Sequence, residues 1–91
     1  MADKAVLKAR VCAEIDRRSR EIVAISDHIM RHPEPGYREV RTAEFVAAQL
    51  ERMGLEYRAG LALTGVKARM CGRIPGPTVA VLGELDSLIV G

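Results

Sequence analysis

The chain is 91 residues long, with 48% hydrophobic and 29% charged residues, a formal net charge of +2 and only three aromatic side chains. This length fits one domain or part of one, and the balance of apolar and charged residues excludes a disordered chain. The small net charge gives no support for a nucleic-acid partner or a membrane surface, and no uncharged stretch approaches the roughly 20 residues of a membrane span.

Residues 3–31 are predicted to form one long helix. Asp3 is a candidate N-cap, because a short acidic side chain accepts hydrogen bonds from the free N–H groups of a first turn. Pro33 and Pro35 end the helix, since proline lacks the N–H group that the helical ladder needs. The apolar residues recur at steps of three, four or seven and form one stripe: Leu7, Val11, Ile15, Ile22, Ile25 and Ile29.

A turn at residues 32–36 and a second helix at residues 39–53 are predicted next. One face of this second helix is apolar, as expected for a helix that packs on a core. Gly54 follows at the position where helices commonly end in a left-handed residue. The apolar face consists of Val40, Ala43, Val46, Ala47, Leu50 and Met53.

Beyond Gly54 the pattern becomes that of strands. Residues 55–59 form a short candidate strand, and residues 66–71 alternate between apolar and mostly basic side chains, which predicts a strand buried on one face. Residues 74–77 contain two prolines and a glycine and are predicted to be a turn. Residues 78–82 are apolar on both faces, which is typical of a strand inside a sheet covered on both sides. Such a strand needs more protein around it than this chain supplies.

Two carboxylates, Glu84 and Asp86, come directly after this last apolar segment. In open α/β sheets ligands bind beyond the carboxyl ends of the strands. Carboxylates are costly to bury unless a cation pairs with them. The local pattern therefore leaves two interpretations open, a metal or substrate site and a pair of solvated loop acids.

The order of the segments resembles a known family. A long first helix is followed by HPEPGYREVRTAEFVAAQLERMG, then LTGVKAR, then GPTVAVLGELDSL. This order resembles the N-terminal part of the metal-dependent amidohydrolase and metallopeptidase family that includes aminoacylases, hippurate hydrolase and p-aminobenzoyl-glutamate hydrolase. The resemblance covers roughly residues 20–90 and is strongest for the amidohydrolase, aminoacylase-1-like branch. It implies an α/β fold in which two N-terminal helices precede strands of a larger mixed sheet, so that residues 1–91 would be a truncated, zinc-peptidase-like catalytic domain.

The resemblance also implies roles for the two carboxylates. Asp86 matches a strand-end aspartate that orients the metal ligands without binding the metal itself. Glu84 occupies a position that is a metal-binding histidine in many relatives and an acid in the amidohydrolase branch, and its role stays open. The HPE turn and the TAEF helix of the family are structural, so no catalytic role is expected for His32, Glu34, Thr42 or Glu44.

The remaining metal ligands of the family would come after Asp86. They are a Cys-Gly-His-type motif, a general-base glutamate and further Glu and His ligands, and residues 89–91 fall in the loop that leads to the first of them. A hydrolytic metal site needs about three protein ligands. We therefore expect no metal site in this chain, and a divalent metal of the zinc or manganese class in the full-length enzyme. His28 and His32 stand four residues apart but lack a third ligand, and we interpret them as helix-end residues.

The resemblance implies that the chain is a fragment of a metal-dependent enzyme that hydrolyses amide bonds of N-acyl amino acids or similar small amides with a metal-activated water. The fragment is expected to be inactive alone and cytoplasmic, with Cys12 and Cys71 as reduced, partly buried thiols. Two alternatives stay open. One is a small non-enzymatic interaction protein, and the other is one chain of a split enzyme whose partner chain supplies the metal ligands.

Overall fold

The computed structural model describes residues 3–88. These residues form three helices, α1 (Lys4–Arg17), α2 (Ser19–Arg31) and α3 (Val40–Arg52), and two strands, β1 (Tyr57–Leu61) and β2 (Gly65–Ala68). The small α/β architecture agrees with the predicted class, with one helix more than expected. The chain divides into two units, one up to Arg31 and the other from His32 onward. The loop predicted at residues 89–91 lies outside the described residues.

The helix predicted at residues 3–31 is in fact two helices. Its start is confirmed, because the Asp3 carboxylate accepts a hydrogen bond of 3.1 Å from the Ala5 N–H group. Arg18 ends α1 with φ −100° and ψ 12°, and its N–H group donates to the carbonyl oxygens of both Glu14 and Ile15. Such a shared bond is common at helix ends, where the last turn tightens. The prediction of one continuous helix is therefore wrong at this residue.

The apolar stripe of this first unit stays exposed. Neither α1 nor α2 contains a buried residue. The large side chains of the stripe up to Ile22 are exposed, and Ile25 and Ile29 are half-buried. A stripe of this kind is ordinarily covered by other protein. Within the first unit, most of this apolar stripe is therefore uncovered.

The third helix, α3, confirms the helix predicted at residues 39–53. Glu39 is its N-cap residue and Met53 its C-cap residue. Gly54 follows with φ +74°, so the predicted left-handed end is also confirmed. Thr42 and Ala47 are its buried residues, and α3 packs against both strands. This packing of one helix on one hairpin makes the small core of the second unit.

The strands β1 and β2 form an antiparallel hairpin, in which Tyr57 pairs with Ala68 and Leu61 with Gly65. Both predicted strands exist with shifted bounds. The hairpin loop contains Ala62 at φ 45° and Leu63 at φ 78°, which is unusual for two consecutive non-glycine residues. The predicted burial of one face is wrong beyond Val66, since Ala68 and Met70 are exposed.

Residues 78–82 do not form the strand that their apolar pattern predicts. Val79, Val81 and Leu82 are 83%, 94% and 93% exposed. A strand requires a hydrogen-bonded neighbour, and within the described residues β1 and β2 pair only with each other. The strand and its burial are thus wrong for this structure, because residues 78–82 pair with no strand of the described part of the chain and no layer of protein covers them.

Both cysteines are exposed free thiols, so the predicted partial burial of Cys12 and Cys71 is wrong. Each lies in a segment with little surrounding protein: α1 has no buried residue, and Cys71 follows the exposed Met70. Among residues 3–88, no helix has both the length and the apolar character required to cross a membrane.

Candidate functional site

The HPEP turn holds the beginning of α3 through the side chain of Glu34. Its Oε1 accepts from the Thr42 N–H group at 2.6 Å and from the Thr42 hydroxyl at 2.7 Å, and its Oε2 accepts from the Arg41 N–H group at 3.4 Å. Glu39, the N-cap residue, makes no side-chain cap bond of its own. Glu34 therefore satisfies two of the free N–H groups of this helix from a position outside it.

These bonds shift the ionisation of Glu34. The Thr42 hydroxyl contributes most, followed by the Thr42 N–H group, and together they lower the pKa of the Glu34 carboxyl below its ordinary value. Hydrogen bonds to the charged form of an acid favour that form. Glu34 thus acts on α3 as an ionised cap, as the structural role expected for the HPE turn requires.

The same turn anchors the segment that contains the predicted site residues. The Ser87 N–H group donates to the carbonyl oxygen of Glu34 at 2.7 Å. Leu85 and Ser87 are half-buried, whereas Glu84 and Asp86, which alternate with them along the chain, are exposed. Alternate residues of this segment therefore face the protein, which leaves the two carboxylates accessible.

The structure brings Glu84 and Asp86 together at one cleft of about 470 Å³ in the second unit. A third carboxylate, that of Glu39 at the start of α3, lines the same cleft. The rest of the lining comes from α3, from the start of β2 with the residue before it, and from the 83–86 segment: Val46, Thr64, Gly65, Val66, Gly83 and Leu85. The cleft is thus open and acidic on several sides.

Glu39 is the site residue that the sequence did not reveal. The residue is only 7% exposed, and its Oε1 accepts from the Tyr37 N–H group at 3.1 Å and from the Thr64 hydroxyl. Its Oε2 is buried and has no hydrogen-bond partner among the described residues. The sequence shows an acid at the start of a helix, which is common, and gives no sign that Thr64, 25 residues further on, lies against it.

The described residues do not by themselves form a metal site. Carboxylates such as those of Glu84 and Asp86 are suitable ligands for divalent metals. Within residues 3–88, however, no group of three or more His, Cys, Asp or Glu side chains is arranged to hold an ion. His28 and His32 therefore belong to no such group. The metal that the resemblance implies would need ligands from outside this part of the chain.

Three relatives decide the family. The amidohydrolase YhaA of Bacillus subtilis is 34% identical over 82 residues, which is 90% of this chain. The IAA-amino acid hydrolase ILR1-like 4 of Arabidopsis thaliana is 40% identical over 67 residues, or 74% of the chain. The N-acyl-L-amino acid amidohydrolase of Geobacillus stearothermophilus is 32% identical over 74 residues, or 81% of the chain. The chain belongs to the amidohydrolase family.

This family assignment confirms the resemblance found in the HPEPGYRE and GELDSL segments. The chain spans 21%, 15% and 20% of the lengths of these three relatives, which is about one fifth or less of each. No protein-family model and no solved structure matches it. The likeness therefore concerns one part of the relatives, and Asp86 and Glu84 stay predicted site residues whose roles the comparison does not test.

Proposed function

We propose that this chain is part of the catalytic domain of an enzyme that hydrolyses the amide bond of N-acyl amino acids or similar small amides. Support comes from the names of its relatives, among them an N-acyl-L-amino acid amidohydrolase and an N-acetyl-L-cysteine deacetylase. The observation that carries the proposal is the common cleft of Glu84 and Asp86. These two residues are the ones that the family resemblance marks.

In this proposal Asp86 is a positioning residue, which holds a metal-binding side chain of the complete enzyme in its orientation. Its exposure and its place on the cleft wall leave its carboxylate accessible to such a side chain. Glu84 lies on the same wall and belongs to the site without an assigned step. The complete enzyme would use a divalent metal of the zinc or manganese class, but the described residues supply no complete ligand set, and we assign no step of the reaction to it.

The proposal includes a larger mixed sheet. Val79, Val81 and Leu82 are almost fully exposed, and exposed apolar segments of this kind are ordinarily covered by other protein. We propose that residues 78–82 become a strand when further sheet and helix surround them. Because the metal ligands and this covering would come from elsewhere, the 91-residue chain alone is proposed to be inactive.

The test begins with the intact mass of the protein from its source cells, captured with an antibody to α1. A mass well above 10.0 kDa identifies the longer polypeptide, in which Asp86→Ala and the control Glu56→Ala are then assayed for release of amino acid from N-acyl amino acids. Glu56 is exposed and lies outside the acidic cleft. Loss of a residue that orients metal ligands costs about 10–100-fold in activity or metal affinity. Equal activity of the two variants would contradict the role of Asp86.

A different function is favoured by one observation, the uncovered apolar segment at residues 78–82. An interaction protein would present this segment to a partner. A native mass of 10.0 kDa, with cooperative unfolding and a defined oligomer, would support this alternative over the enzyme fragment. A partner chain that restores amide hydrolysis when mixed with this one would instead identify a split enzyme.

A further inference from the structure

One face of the hairpin carries a cluster of positive charge. Arg58 on β1 lies directly opposite Lys67 on β2 in the antiparallel register. Residues that face each other in this way project to the same side of a sheet, and so do alternate residues along a strand, which places Arg69 on the side of Lys67. These three residues, the hairpin cluster, are exposed and line one open cleft of about 580 Å³.

The hairpin cluster is costly unless a negative group compensates it, because like charges directly opposite each other destabilise a sheet. In the first unit, Arg17 and Arg18 stand beside the carboxylate of Glu14. Within residues 3–88, by contrast, no ion pair or side-chain hydrogen bond engages the three cations of the hairpin cluster. Glu56 is the single acid on the wall of their cleft. The cleft therefore has a net positive charge and hydrogen-bond donors that are available to a ligand.

The chemistry of the hairpin cluster fits a phosphate group better than a carboxylate. A guanidinium presents a planar fork of N–H donors, and an ammonium presents three donors. Two guanidinium groups and one ammonium group therefore match an anion with several oxygens and more than one charge. A phosphate monoester has a charge of about −1.5 to −2 at neutral pH and three acceptor oxygens, whereas a carboxylate has a single charge and two oxygens.

The rest of the cleft has room for an organic group beside the phosphate. Leu55 and Tyr57 are half-buried and line the same volume. A cleft of about 580 Å³ lies within the range of small-molecule sites, roughly 300–1,000 Å³, and has more space than a phosphate ion alone would fill. An apolar group attached to the phosphate would cover these two side chains.

We propose that the cleft of the hairpin cluster is a binding site for a small organic phosphate monoester. Arg58, Lys67 and Arg69 donate hydrogen bonds to the phosphate oxygens, and the organic group packs against Leu55 and Tyr57. This cleft shares no lining residue with the acidic cleft, so the site is separate from the one proposed for amide hydrolysis.

The test is an NMR titration of the isotope-labelled 91-residue chain with phenyl phosphate, at about pH 8 and constant ionic strength in a buffer free of phosphate. The probe is a dianion there, because the second pKa of a phosphate monoester is about 6. We expect saturable shifts at the amides of Leu55, Lys67 and Arg69.

Two other probes examine the two parts of the ligand. Benzoate has the ring with a single charge, and inorganic phosphate lacks the ring, so each should bind several-fold more weakly than phenyl phosphate. Equal affinity for benzoate would overturn the choice of phosphate. Equal affinity for inorganic phosphate would overturn the choice of an organic ester.

The variant Lys67→Glu separates binding from folding. It places opposite charges at the pair with Arg58, which should raise the urea midpoint of the chain, since such pairs stabilise a sheet. The same change should abolish detectable binding of phenyl phosphate. A Lys67→Glu chain that binds phenyl phosphate as tightly as the unchanged chain overturns the proposal.

Two further variants should change the affinity in opposite directions. Arg69→Gln should weaken binding about fivefold, the upper end for one exposed ion pair, and Glu56→Gln should strengthen it about twofold because it removes the acid from the wall. Arg38→Gln is the matched control, since Arg38 is exposed in the same unit and lies outside the cleft. It should leave the affinity unchanged. An equal loss in Arg38→Gln and Arg69→Gln would reveal a response to net charge alone and would overturn the proposal.

Discussion

Replacing Gly65 by alanine should separate the two strands of the hairpin. A Cβ atom at this position would lie 2.6 Å from the backbone oxygen of Leu61 and 3.4 Å from its carbonyl carbon and Cβ. Ordinary contact begins at 3.4 Å, so the Cβ and the oxygen must move apart by 0.8 Å, the difference between the two distances. Backbone must give way here, because the nearest atom does not belong to a flexible side chain.

The expected cost is that of inserting a methyl group into a packed site, about 1–3 kcal/mol. Gly65 pairs with Leu61 at the closed end of the hairpin and directly follows Thr64, which donates to Glu39. Gly65→Ala should therefore loosen both the strand pairing and the wall of the acidic cleft. Helices dominate the circular dichroism signal of this chain, so the assay of choice is amide hydrogen exchange at β1 and β2, combined with urea unfolding.

Gly72→Ala is the matched control. A Cβ at Gly72 would meet no atom within 4 Å, and the backbone there is not left-handed. This variant should leave strand exchange unchanged, with a gain of up to about 1 kcal/mol from the lower entropy of the unfolded chain. If Gly65→Ala matches Gly72→Ala in strand exchange and urea midpoint, the close approach of Gly65 to Leu61 does not constrain the hairpin.

Three other substitutions test the caps and the hairpin loop. Glu34→Gln removes the ionised cap of α3. The pKa of Glu34 is lowered from its ordinary value of 4.5, so its carboxylate stabilises the fold above pH 4.5, and this contribution is lost as the pH falls through the lowered pKa. The variant should therefore show a smaller fall in melting temperature below pH 4.5 than the unchanged chain. Leu63→Gly relieves a left-handed backbone at φ 78°, and urea unfolding should show a net gain of up to about 1 kcal/mol. Asp3→Ala removes the N-cap of α1, which costs about 1 kcal/mol and should lower the helical signal in circular dichroism.

Each of these variants has a control that isolates its cause. Glu51→Gln removes an exposed carboxylate that caps no helix, and its pH profile should match the unchanged chain. Leu63→Ala keeps the Cβ atom in the strained backbone, so it should show no gain, and a gain equal to that of glycine would contradict the strain. Asp3→Asn keeps a capping oxygen and should preserve the helical signal of α1.

The sequence predicted the elements that depend on local chemistry. Asp3 caps α1, the prolines at 33 and 35 separate α2 from α3, and Gly54 ends α3 in a left-handed conformation. These features depend on the φ range or hydrogen-bonding groups of a few neighbouring residues, which the sequence displays directly. The break at Arg18 was missed because nothing in the composition of that segment disfavours a helix.

Features that depend on distant partners were predicted poorly. Residues 78–82 have the composition of a buried strand, but within the described residues they pair with neither β1 nor β2 and form no strand. Glu84 and Asp86 were recognised as a pair, whereas Glu39 joined them only through a fold that places Thr64 beside it. The local sequence pattern does not distinguish Glu39 from other acids at helix starts, and the residue acquires its role from residues far away in the chain.

Glu34 binds two parts of the molecule at once. Its carboxylate accepts from the first turn of α3, and its backbone carbonyl oxygen accepts from the Ser87 N–H group. Exposed surface turns are usually the places where a chain tolerates an inserted peptide or a new terminus. This turn should be an exception, since an insertion between residues 33 and 36 would displace the cap of a helix and the tether of the acidic segment together. Tags, linkers and permuted ends are better placed near Gly72, where the chain has open space around it.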